Sequence, residues 1–360
     1  MRQLLIYSVY VPLLFSIYTI NAQPRVTQVT VVKEGFIFSN PPFASCHAST
    51  ITELPNERFM AAWFGGEYEG HSSVGIWTSI YYKGKWSPPK LLATGKDKDT
   101  SFPCWNPVLF VNQDQKIFLY YKVGPSPREW WTMVQYSIDN GNTWTKPVRL
   151  PGKLDGPVRT KPVQLSNGYI LYPSSTESLD NTEWYIHLER TDSTGRNWEK
   201  ILINCDTFDV IQPCILVHAD GTLQMLCRSK QNAIIQTWSS DNGNTWSPLT
   251  RTDLPNPNAG IDAVSTSAGF HLLVYNPLEK GEEWWEGRTE LRLAMSYDGK
   301  TWNDIYTLEK HDEGEYSYPA IIEAENGDIH ITYTYNRKNI RHVILRITST
   351  DAINFNSGGE

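Results

Sequence analysis

Six times along the chain a short apolar run is followed by a turn rich in Asn, Asp or Gly and then by a second apolar run. The segments are "ASTITELPNERFMAAWF", "NPVLFVNQDQKIFLYYKV", "KPVQLSNGYILYPSS", "QPCILVHADGTLQMLCRS", "DAVSTSAGFHLLVYN" and "YPAIIEAENGDIHITYTYN". Runs of this length bounded by turn residues predict β-hairpins, and no stretch carries the 3.6-residue period of a helix. Five of the hairpins lead into a second hairpin closed by a boxed turn, clearest in "SIDNGNTW" (137–144), "SSDNGNTW" (239–246) and "SYDGKTW" (296–302). Weaker copies are "TDSTGRNW" (191–198) and "SIYYKGKW", which ends at Trp86. Their closing tryptophans recur about every fifty residues, the spacing of a propeller or a solenoid. A four-stranded unit repeated six times predicts an all-β fold, a six-bladed β-propeller. The sixth unit continues with only one strand, "IRHVILRI", so "RVTQVTVV" (25–32) is expected to supply its outer strand and close the ring.

The boxed turns read as folding devices. Asp accepts backbone N–H bonds within the turn, Gly supplies a positive φ, and Trp packs between hairpins. They join third to fourth strands, which puts them on the face away from any central pocket. Chemistry is expected at the other face, where the first strands of all six blades begin around one axis. Those starts read "CHAS", "CWNP", "RTKP", "IQPC", "IDAV" and "SYPA". They nominate His47, Trp105, Asn106, Arg159, Lys161, Gln212, Asp262, Tyr316 and Tyr318. One such residue could simply cap its strand, but six around one axis predict a site.

The loops between second and third strands return to the same mouth. They add Glu69 and His71 in "GGEYEGH", Arg228 in "CRSKQN", Arg288 in "LEKGEEWWEGR" and Arg337 in "NRKN". Arginine grips carboxylates with a planar pair of donors, so this cluster in an acidic chain selects an anionic ligand. The pairs Trp130–Trp131 and Trp284–Trp285 either offer faces to sugar rings or pack between blades.

Composition narrows the classes further. The 360 residues carry a formal net charge of −7 and no basic run, which argues against a nucleic-acid partner. Residues 1–22, with Arg2, a short apolar stretch and Ala22, read as a secretory signal peptide ahead of a single propeller domain at 23–360. Export to the periplasm or beyond, with no membrane span, follows as an expectation. Five cysteines at irregular spacing imply no disulfide framework, although Cys214 and Cys227 flank one hairpin and could pair. No His, Cys and Glu residues share metal-ligand spacing, no phosphate loop is present, and no cofactor is expected. His187, His218, His271, His311, His330 and His342 fall on outer strands or turns and read as structural or solvated.

The boxed turns, together with "LPNPNAGIDAV" and "EYSYPAII", resemble the sialidase (neuraminidase) superfamily, and most closely its bacterial BNR-repeat branch. The resemblance covers the chain after residue 22. It implies a six-bladed enzyme that binds a sialate carboxylate with three arginines, attacks with a Tyr assisted by a Glu, and protonates the leaving group with an Asp. On that basis Tyr316 corresponds to the nucleophile and Arg228 and Arg288 to two of the arginines. Glu69 falls near the general acid, with His71 as the competing choice. Two departures stand out. "SCHAS" puts His47 where the first arginine is expected, and "VIQPC" puts Gln212 where the family has its Glu. A phenol with a pKa of about 10 needs activation, and Gln cannot take its proton. These departures point away from sialic acid itself and toward another acidic or polar terminal sugar. A secreted exo-acting glycoside hydrolase is the leading expectation. A lyase acting on a uronate, using His47, His71 and Tyr316 beside Arg159 or Arg228, is the second. A carbohydrate-binding propeller without turnover is the third.

Overall fold

The computed structural model describes residues 25–283 and 285–350; residues 1–22, read above as a signal peptide, and Trp284 lie outside them. Among the described residues the long strands form six antiparallel sheets about one axis. Their inner strands are Ser45–Leu54, Cys104–Val111, Val163–Gln164, Val210–Val217, Asp262–Ser265 and Tyr316–Glu323, for blades one to six in order. The last blade takes its outer strand from the start of the chain: Arg25–Phe36 pairs antiparallel with Asn339–Thr350, setting Val29 opposite Ile347. That seam joins the two ends of the fold and leaves the ring without an open blade.

Burial along the strands follows from this arrangement. Leu223–Ser229 is buried at every position, because each blade is covered on both faces by its neighbours. Asn303–Lys310, at a rim, is largely exposed. The core is therefore a set of layers between blades. Met60, Phe64 and Ile76 of blade one meet Leu109, Ile117 and Leu119 of blade two. Leu188 and Ile186 of blade three meet Ile215 and Met225 of blade four. Leu272 and Leu293 of blade five meet Ile321 and Ile331 of blade six.

Each inner strand is a sheet edge, and an edge strand needs partners for its outward N–H groups. Side-chain oxygens of neighbouring blades supply them. Thr334 Oγ1 accepts from Ala48 N at 3.1 Å, Thr50 Oγ1 from Leu109 N at 3.2 Å, and Ser175 Oγ from Gln212 N at 3.1 Å. The boxed turns also behave as expected. Asp241 accepts from Ser239 Oγ (2.8 Å), Thr245 N (2.9 Å) and Thr245 Oγ1 (2.6 Å), while Gly243 has φ 82° and accepts from Trp246 Nε1 at 3.1 Å.

Cys214 and Cys227, which the sequence left open to pairing, are not bonded: all five cysteines are buried free thiols. Cys214 lies opposite Leu226 in the ladder, so its neighbour Cys227 projects from the other face of the sheet.

Near the mouth the inner strands share a bulge. Pairing skips between His47 and Thr50, between Ile211 and Cys214, and between Ser317 and Ala320. At this level Ala48 (φ 55°), Asn106 (36°), Arg159 (80°), Gln212 (52°) and Tyr318 (52°) are left-handed. A bulge re-aims a side chain, and a left-handed conformation costs a non-glycine residue about 1–2 kcal/mol. Such a conformation repeated around one axis marks the ring where function is to be sought.

Candidate active site at the propeller axis

The left-handed bulge of blade six throws Tyr318 across the axis, where residues of four other blades meet its ring. Arg159 of blade three, Arg228 of blade four and Arg288 of blade five place their guanidinium carbons 5.3, 5.6 and 5.9 Å from its centroid. The imidazole of His47, from blade one, lies 4.1 Å away. Arg228 Nη1 donates to the Tyr318 hydroxyl at 2.6 Å and to Gln212 Oε1 at 3.3 Å. Asn258 fixes two of the arginines, its Oδ1 accepting from Arg228 Nε at 2.8 Å and its carbonyl from Arg288 Nη2 at 3.4 Å. Gly260 admits the cluster, since a Cβ there would stand 3.0 Å from Arg159 Nε and 3.2 Å from Tyr318 Cγ.

A second layer lies beside it. Arg288 Nη1 donates to Glu315 Oε1 at 2.9 Å, Arg337 Nε to Glu315 Oε2 at 2.6 Å, and Ser317 Oγ to Glu315 Oε1 at 2.8 Å. Arg337 also pairs with Glu69. Burial opposes the Glu315 carboxylate, but the Arg337 and Arg288 guanidiniums outweigh it and hold the carboxyl well below the usual range. Burial, reinforced by Arg337, pushes His47 well below the usual imidazole range, so the ring is neutral at pH 7. The ring is 1% exposed, and neither nitrogen has a hydrogen-bond partner among the described residues. Glu69, Glu315 and Arg337 line a cleft of about 600 Å³ with Ser45, Tyr68 and Trp285 at its rim.

The structure thus gathers His47, Arg159, Gln212, Arg228, Arg288 and Tyr318 around the axis, with Glu69 and Arg337 beside them. Other sequence candidates lie elsewhere. Tyr316 is packed away from the arginines: its ring stacks on His311 at 4.3 Å and meets Tyr335 edge-on, within the core between blades five and six. His47 does not occupy blade one's left-handed seat, which belongs to Ala48; it approaches Tyr318 from the buried position one residue earlier. Lys161 does not offer its charge to the mouth, because its ammonium is bound by Asp262 Oδ2 and the Ala263 carbonyl, each at 2.9 Å. Asp262 Oδ2 also accepts from Ile321 N at 2.9 Å, so this pair ties three inner strands together. Trp105 donates to the Gly124 carbonyl and packs edge-on against Phe64 and Trp130, and Asn106 is buried at blade two's seat. His71 turns to Ser73 and Glu67 within its own loop. Trp131 packs against Phe102 and carries Arg149 on its face, which is packing rather than a sugar platform.

Spacing missed one titratable cluster. Asp155, His187 and Glu189 bring ligand atoms within 4.8 Å of one another, with the Lys200 ammonium 3.0 Å from Asp155. Both Glu189 oxygens also accept backbone N–H groups, of Asp155 at 2.8 Å and Gly156 at 2.7 Å. Sequence reasoning also passed over Glu315 and Asn258, although they lie within the phrases "EYSYPAII" and "LPNPNAGIDAV" that carry the resemblance, and Glu177, hidden in the polar run "SSTESLDN".

The fold has known counterparts. A Dyadobacter fermentans protein of unknown function superposes with a TM-score of 0.72 at 16% identity, over 89% of this chain and 99% of that one. The K499G mutant of NanB sialidase from Streptococcus pneumoniae gives 0.69 at 12% identity, over 87% and 71% of the two chains. Trypanosoma rangeli sialidase gives 0.67 at 15% identity, over 86% of this chain and 55% of that one. A search of curated protein sequences found no match. The BNR repeat-like domain model matches residues 57–331, which takes in most of this propeller. The chain therefore belongs to the BNR repeat-like family, and its fold is that of the sialidase-like propellers.

Proposed function

We propose that this protein is an exported glycoside hydrolase that removes a terminal acidic sugar from a glycan. The observation that carries the reading is the Tyr318 hydroxyl receiving Arg228 at 2.6 Å inside a ring of three guanidiniums. A sugar carboxylate suits planar donors of this kind. Arg159 Nε and Nη1 are buried without a hydrogen-bond partner among the described residues, so they have capacity to bind one. With the carboxylate held there, Tyr318 Oη is the oxygen placed to attack the anomeric carbon, and Arg228 stabilises the negative charge on it. The leader at 1–22 supports action outside the cytoplasm.

The test is a panel of 4-methylumbelliferyl glycosides of N-acetylneuraminate, ketodeoxyoctonate, glucuronate and galacturonate, run beside glucose and galactose controls. At least one acidic member should release fluorophore and a free reducing sugar, while the neutral sugars should not. Turnover of neutral sugars alone would contradict the reading. One observation favours a second reading, elimination from a uronate. His47 is a neutral, unpartnered imidazole against Tyr318, the kind of pair that could move the C5 proton. Absorbance near 235 nm, from about one unsaturated bond per cleavage, would identify that chemistry.

A further inference from the structure

We propose that Glu177, on the blade three side of the mouth, is the proton donor to the departing glycosidic oxygen, an assignment that rests on the hydrolase reading above. Glu177 ends the second strand of its blade and pairs with Trp184. Two residues earlier, on the same face of that strand, Ser175 Oγ accepts from Gln212 N and fixes this edge against the inner strand of blade four. The Trp184 ring has the Arg228 guanidinium 5.8 Å and the Lys230 ammonium 4.7 Å from its centroid. Glu177 thus shares a face of its sheet with Trp184, whose ring lies beside the same Arg228 guanidinium that donates to Tyr318.

Glu69 and Glu315 also reach the mouth, but both are committed. Glu69 is paired with Arg337, and Glu315 is held by Arg288, Arg337 and Ser317. Among the described residues the Glu177 carboxyl makes no hydrogen bond or close ion pair. Burial raises its carboxyl above the usual range, with Arg228, Arg128 and Lys230 pulling the other way. Lys230 spends part of its charge on Asp209, 3.5 Å away. A general acid must keep its proton until the leaving oxygen takes it. A carboxyl lifted by burial does this nearer neutral pH than one locked in an ion pair.

The steps balance. The Tyr318 hydroxyl first gives its proton to water, and Oη then bonds the anomeric carbon while the glycosidic C–O bond breaks. The electron pair stays on the departing oxygen, which takes the proton of Glu177. In the second half, water gives a proton to the Glu177 carboxylate as its oxygen bonds the anomeric carbon. The bond to Tyr318 then breaks, with its electron pair returning to the phenolic oxygen.

The test compares methyl and 4-methylumbelliferyl glycosides of the four acidic sugars above, because the aryl leaving group departs without a donated proton and the methyl group does not. Glu177→Gln should lower kcat/KM, which reports the step in which the leaving group departs, by about 10²-fold or more on the methyl glycoside while leaving that of the aryl glycoside within about fivefold. Glu69→Gln should show no such split. A thermal melt superimposable on wild type keeps the comparison free of folding effects, and Glu177→Asp should recover part of the methyl-glycoside rate. Equal losses on both substrates, no loss on either, or a split that appears in Glu69→Gln instead would each overturn the assignment and leave the hydrolase reading standing. No turnover of any probe by the wild-type chain would remove both.

Discussion

At the scale of single residues, the site turns on parity and spacing along an extended strand. A shift of one position reverses the face a side chain presents, and a bulge makes such a shift inside a strand. His47 and Ala48 differ by one position, so the imidazole reaches Tyr318 from the buried side while Ala48 takes the left-handed seat. Tyr316 and Tyr318 differ by two across the bulge, and only the second faces the arginines. A signal for this was present in the sequence: Asn106, Gln212 and Tyr318 each stand directly before a proline at the same level of their blades. Blade three hides the rule, because Lys161 precedes its proline while Arg159 holds the seat. Tyr318→Phe should therefore cost about 10³-fold in kcat/KM, roughly 4 kcal/mol of transition-state stabilisation. Tyr316→Phe should stay within a few fold. Steady-state rates on the acidic glycoside turned over would check both, and a large loss confined to Tyr316→Phe would return the nucleophile to that residue.

At the scale of elements, hairpins and boxed turns were legible because each has a local cause: apolar runs, turn residues and a repeated Asp-Gly-Trp pattern. The contacts between blades were not, since they join residues far apart in sequence. Two histidine pairs illustrate this. His271 Nε2 and His218 Nδ1 lie 3.1 Å apart at the junction of blades four and five, and His330 Nδ1 and His342 Nε2 lie 3.1 Å apart within blade six. Burial, helped for His271 by His218, lowers His271 and His330 from 6.5 to about 4. Between these values the unfolded chain binds more protons than the folded one. Their contribution to stability is therefore complete above pH 6.5 and is lost as pH falls toward about 4. The slope is at most about 1.4 kcal/mol per pH unit for each histidine. Denaturant unfolding at pH 7, 6 and 5 should show this decline, and His271→Gln should flatten it. An unchanged slope in the variant would place the titration elsewhere.

At the scale of the whole molecule, ring closure is what makes a site from scattered residues. Sequence repeats predicted six blades and a terminal strand that completes the last, and the pairing of Arg25–Phe36 with Asn339–Thr350 meets that expectation. Closure brings His47, Arg159, Arg228, Arg288 and Tyr318, from five blades, around one phenol. Charge composition foretold little of this, because the chain is acidic overall and its cations gather only where the blades converge. The central claim is that the convergence hydrolyses a glycosidic bond to an acidic sugar. The most direct measurement is the product mass after incubating the protein with an acidic-sugar glycan in ¹⁸O-labelled water. The account predicts one labelled oxygen in the released acidic sugar and none after Tyr318→Phe. A released sugar lighter by one water, carrying a double bond and no label, would contradict it.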